Sequence, residues 1–70
     1  MPDHIYKVIE IVGSSKTSIE DAVQGAITRA AKTLHNLDWF EVKETRGHIV
    51  DGQVGHYQVV LKVGFKIQGS

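Results

Sequence analysis

Seventy residues make one domain, and a chain of that size buries only about 60% of the surface it exposes when unfolded. Eight basic and eight acidic side chains cancel, so there is no electrostatic footprint for nucleic acid or an anionic membrane. The absence of cysteine excludes disulfides and thiolate metal sites, two of the usual reinforcements of a small core.

The opening Met1-Pro2-Asp3-His4 has neither the basic nor the apolar segment of a secretory leader. No apolar run approaches the length of a membrane span, so a cytoplasmic location and no membrane partner are expected. One domain is expected over residues 1–70, with Gln68-Gly69-Ser70 as a loose tail.

Residues from about 5 to 12 are dense in β-branched side chains and stop at Gly13-Ser14-Ser15, which predicts a strand followed by a loop. Ile5, Ile9 and Ile11 fall on one face and Tyr6, Val8 and Val12 on the other, so one helix can cover only half of this apolar surface. Thr17-Ser18-Ile19-Glu20 fits a capping box with Thr17 as the cap, and a helix is predicted over about 18–35. Ile19, Ala22, Val23, Ala26, Ile27, Ala30 and Leu34 recur at spacings of three and four and form its apolar stripe. Lys32 and His35 are expected in its last turn and Asn36 as its left-handed stop.

Two alternating segments, about 39–50 and 53–67, flank Asp51-Gly52, a strong signal for a two-residue hairpin turn. An uninterrupted register from that turn places Phe40 opposite Val63, Val42 opposite Leu61, Trp39 opposite Gly64 and Thr45 opposite Gln58. The expected fold is α+β, in the order β-α-β-β, with a three-stranded antiparallel sheet of order 1-3-2 packed on one helix.

Trp39 and Phe40 are neighbours on a strand and cannot enter the same core. The register sends Phe40 inward and leaves Trp39 on the open face, either as an interface packing residue or as a stacking platform for a planar ligand. Gly64 opposite leaves a slot about one ring thick beside the indole. Gln58 shares the open face but lies about 20 Å away at strand rise, so the two serve one ligand only when they come from different chains or when a bulge bends the hairpin. By the same parity Arg46 points to the other face, as a surface or intersubunit ion-pairing residue. His48 and His56 fall on opposite faces, and none of His4, His35, His48 and His56 has the spacing of a zinc helix, so no metal site is expected. Gly13-Ser14-Ser15-Lys16 reads as a short polar loop before a helix amino terminus, a place that could hold a phosphate or other anion. It lacks the full phosphate-loop pattern, and a plain loop is expected. No nucleophile, base and orienter set presents itself, and no enzymatic activity is expected.

The chain resembles the dodecins, small flavin-binding proteins of bacteria and archaea, over about Tyr6 to Lys66. The resemblance is carried by Tyr6-Lys7-Val8-Ile9-Glu10 with Val12-Gly13, by Lys32-Thr33-Leu34, and by Leu37-Asp38-Trp39-Phe40-Glu41-Val42. Arg46-Gly47-His48-Ile49, Tyr57-Gln58-Val59 and Leu61-Lys62-Val63-Gly64-Phe65 complete it. It implies a hollow homododecamer that binds flavin pairs between chains, each ring held between the tryptophan and glutamine matching Trp39 and Gln58. Arg46 matches an arginine associated with the phosphate of FMN. Lys66 stands where the family often has arginine, a point charge in place of a planar fork.

The implied function is storage, sequestration and photoprotection of FMN or riboflavin, with Trp39 quenching the excited flavin by electron transfer. Some bacterial members also resemble coenzyme A carriers. The alternative is a structural shell or interaction module in which Trp39 only packs between chains.

Overall fold

Asp51 and Gly52 both adopt left-handed backbone angles, φ 52° and 74°, and close the hairpin that dominates the chain. The computed structural model describes residues 4–67; the tail expected at 68–70 lies outside them. The element order is β1 (Tyr6–Ser15), α1 (Ile19–Ala30), β2 (Leu37–Val50) and β3 (Gln53–Lys66). The three strands form one antiparallel sheet in the order β1-β3-β2, as alternation and turn chemistry predict.

Three boundaries differ from expectation. β1 continues through Gly13-Ser14-Ser15, which pair with Val59, Gln58 and Tyr57, so this segment is strand and not loop. The helix cap is Ser18, whose side chain accepts from the Asp21 amide at 3.0 Å. Thr17 is displaced from that role because buried Ser15 takes its amide at 2.9 Å and donates its own hydroxyl to Asp21 at 2.7 Å. α1 ends at Ala30, after which Lys32 and Thr33 donate to Arg29 and Ala30 in tighter turns. Arg29, and not Lys32 or His35, is therefore the basic residue of the last turn. Asn36 is left-handed at φ 65°, but it stands beyond the helix, just before β2, and its carbonyl accepts from the Lys66 amide.

α1 packs on β1 and β3. Its stripe meets alternate residues of β3, and Ala22, Val59, Leu61 and Val63 are the buried apolar residues among those described. Burying Leu61 and the two valines contributes about 1.5–3 kcal/mol each. β2 reaches beyond the helix, and its side chains are exposed along almost the whole strand. Phe40 and Val42 point toward the helix side but remain 48% and 42% exposed.

The β2–β3 register is not uniform. It shifts between Leu37 and Trp39, between Val42 and Glu44, and between His48 and Ile49. Asp38 and Lys43 are thus extra residues on β2 and Gly55 is one on β3, and each reverses the facing of the residues beyond it. Phe40–Val63, Val42–Leu61 and Trp39–Gly64 survive as expected. Thr45 pairs with Val59 and not with Gln58, because Gly55 intervenes between the turn and this pair.

Candidate functional site

The face of the sheet turned away from α1 carries the even-numbered residues of β3 from His56 to Lys66, with the residues that pair with them. Trp39–Gly64, Glu41–Lys62, Glu44–Val60, Arg46–Gln58 and His48–His56 are successive cross-strand rows on it. β1 adds Tyr6, Val8, Glu10, Val12 and Ser14. Every flavin-site residue implied by the resemblance lies on this one face, and the Lys43 bulge is the reason. Arg46 therefore shares the face of Trp39 and Gln58, contrary to strict alternation.

At one end stands Trp39, 41% exposed. Its indole lies across buried Gly64: a β-carbon there would fall against Cε2 and Cζ2 and 2.6 Å from Nε1. The slot expected beside the indole is filled by the indole itself, because the ring gains van der Waals contact by settling on bare backbone. Its remaining surface faces outward. The next row holds Lys66 opposite Tyr6, and Lys66 lines a cavity of about 200 Å3 with Asn36, Leu37 and Asp38. The Tyr6 phenol is raised above its ordinary value by desolvation, by the hydrogen bond it donates to the Asp38 carboxylate, and by that charge.

Toward the hairpin turn lies a second cluster. Gln58 is flanked in its row by Ser14 and Arg46, and Arg46 is ion-paired to Glu44 through Nη2 and Oε1. The following row is His48 and His56, edge to face with ring centroids 6.2 Å apart. They were expected on opposite faces, and the Gly55 bulge puts them on the same one.

The two clusters do not meet within a chain. Gly64 and Gln58 lie six residues apart on β3, about 20 Å at strand rise. One chain therefore presents a stacking half and a hydrogen-bonding, cationic half, and a planar ligand can touch both only across a contact between chains. Among the described residues, no group of three or more His, Cys, Asp or Glu side chains is arranged to hold a metal ion, and no helix is long and apolar enough to cross a membrane.

Residues 5–68 match the family model described as Dodecin. Over 64 residues the chain is 55% identical to dodecin of Thermus thermophilus, covering 91% of this chain and 93% of that one. The structure of dodecin from Streptomyces coelicolor is similar at a TM-score of 0.92 and 53% identity, over 100% of both chains. Calcium dodecin of Mycobacterium tuberculosis is 33% identical over 64 residues, covering 91% of this chain and 90% of that one.

Proposed function

This chain belongs to the dodecin family, and on that premise we propose that it binds flavin, as FMN or riboflavin, between the chains of a homododecamer and stores it without turning it over. The observation that carries this reading is the indole of Trp39, seated on Gly64 with its other surface open on the face that also bears Gln58 and Arg46. An isoalloxazine stacks on that open surface. Gln58 of another chain hydrogen-bonds the same ring, since the Gln58 of the same chain is too distant.

Arg46 and Lys66 supply the cations for a phosphorylated tail. Arg46 offers a planar fork to the phosphate of FMN once it leaves Glu44, and Lys66 offers a point charge. Close stacking of an electron-rich indole on an excited flavin gives a route for electron transfer, which quenches fluorescence and limits photochemical damage.

The test is a titration of flavin-free protein with FMN and with riboflavin, read by flavin fluorescence. Quenching is expected with both. Trp39→Ala should weaken binding by about tenfold or more, since stacking of a planar base on an aromatic ring contributes about 1–3 kcal/mol. Arg46→Ala should weaken FMN more than riboflavin, which lacks the phosphate. Binding by Trp39→Ala as tight as that of the parent would falsify the stacking role.

The second reading, a shell in which Trp39 only joins chains, is favoured by the exposed apolar side chains of β2 and the hairpin, Phe40, Val42, Ile49, Val50 and Val54. Under it Trp39→Ala breaks the assembly and added flavin keeps its fluorescence.

A further inference from the structure

We propose that His48 and His56 form a cross-strand site for a borderline divalent transition metal of the zinc, nickel and copper(II) class. The two histidines lie outside the residues proposed to hold flavin, and the concavity they line shares Gln58 with them. The site exists because of one irregularity: counting from the Asp51-Gly52 turn, Val50 pairs with Gln53 and Ile49 with Val54, which would set His48 against Gly55. The bulge at Gly55 removes that residue from the ladder and brings His56 opposite His48. Gly55 suits the position, since a β-carbon there would come within 2.8 Å of Val50 Cγ2.

The two imidazoles stand edge to face, 76° between planes and 6.2 Å between centroids. Two imidazole nitrogens on one tetrahedral ion, each at about 2.0–2.1 Å, place their ring centroids roughly 5 Å apart. Closing that gap takes about 1 Å of movement between exposed side chains, a change that side-chain torsions supply without moving the strands.

The surroundings add oxygen donors. A concavity of about 230 Å3 is lined by Ser14, His48, His56 and Gln58, one strand giving the hydroxyl and another the amide. The two imidazole nitrogens take two positions of a tetrahedral ion, and water takes the others beside the Ser14 hydroxyl and the Gln58 amide. No carboxylate lines the concavity, so the donor set does not suit calcium, which takes about six to eight oxygens. The neighbouring row carries a cation, Arg46, but its charge is engaged by Glu44.

Zinc titration of the flavin-free protein, by calorimetry and native mass spectrometry, should show one ion per chain. His48→Gln and His56→Gln should each lower zinc affinity by about tenfold or more, and the double variant should bind little worse than either single one, because a chelate is lost at the first substitution. Copper(II) electron paramagnetic resonance gives a second readout: coupling to two imidazole nitrogens in the parent and to one in each single variant. Absence of zinc binding by the parent, single variants that bind zinc as tightly as the parent, or calcium bound in preference to zinc at these residues overturns the proposal.

Discussion

The indole of Trp39 rests where a side chain on Gly64 would stand, so its position depends on a missing methyl group. Gly64→Ala must push the ring off the sheet, and overpacking of this kind costs about 1–3 kcal/mol. The expected result is a shifted tryptophan emission maximum together with FMN affinity lowered by about tenfold. If both stay at the parent values, the ring's seat on Gly64 has no part in binding. One row away, Tyr6 offers a probe of the same end of the sheet. Its phenol is held above the ordinary tyrosine value by desolvation, by its hydrogen bond to Asp38 and by the carboxylate charge. The folded chain therefore keeps this proton at a pH where the unfolded chain has lost it. The linked stability is fully present below the ordinary tyrosine value of about 10 and is lost as pH rises through the folded value. Spectrophotometric titration in a Tyr57→Phe background should find Tyr6 ionising above that value, and Asp38→Asn should bring it part of the way back. Equal titration with and without Asp38 would remove the carboxylate from the account.

The helix sits close to β1 because small residues line their contact. A β-carbon on Gly13 would lie 2.5 Å from the Ala22 carbonyl oxygen and 2.9 Å from Ala26 Cβ. Backbone cannot swing aside as a long side chain can, so Gly13→Ala is expected to destabilise the fold by about 1–3 kcal/mol, read as a lowered thermal midpoint. A midpoint equal to that of the parent would mean that helix and strand separate without cost. The same elements mark what the sequence discloses and what it hides. Turn chemistry at Asp51-Gly52 and the alternation that buries Val59, Leu61 and Val63 were legible, and with them the strand order and the outward turn of Trp39. The bulges were not. A glycine inside a strand, as at Gly55, does signal one, but Lys43 and Asp38 carry no comparable mark, since a bulge there inserts an ordinary residue at the expense of one ladder pairing. Missing them assigned Arg46 to the wrong face and separated His48 from His56. Trp39 and Gln58 were placed correctly because the Gly64–Trp39 pairing lies where the two shifts at Lys43 and Gly55 have cancelled, and because Gln58 and Gly64 share an unbroken stretch of β3.

At the scale of the whole chain, the sheet is long and its cover is short. The described residues extend 56 × 21 × 14 Å, while α1 spans twelve residues, so β2 and the hairpin end project beyond it with Phe40, Val42, Ile49, Val50 and Val54 in solvent. Exposed apolar side chains in this number are the kind of surface that a protein contact covers. On the proposed function the split face leads to the same place by another route, since Trp39 and Gln58 lie too far apart in one chain to hold one ring. Assembly and ligand binding should therefore fail together. Native mass spectrometry of the parent is expected to show a species near twelve times the 7.7 kDa chain mass, with a thermal midpoint that rises with protein concentration. Val42→Glu puts a charge on that exposed apolar surface without replacing Trp39, Gln58 or Arg46. It should yield small species that leave flavin fluorescence unquenched, although every residue of the site is present in each chain. A monomeric Val42→Glu that still quenched FMN with the parent's affinity would show that one chain suffices, and the intersubunit site would have to be abandoned.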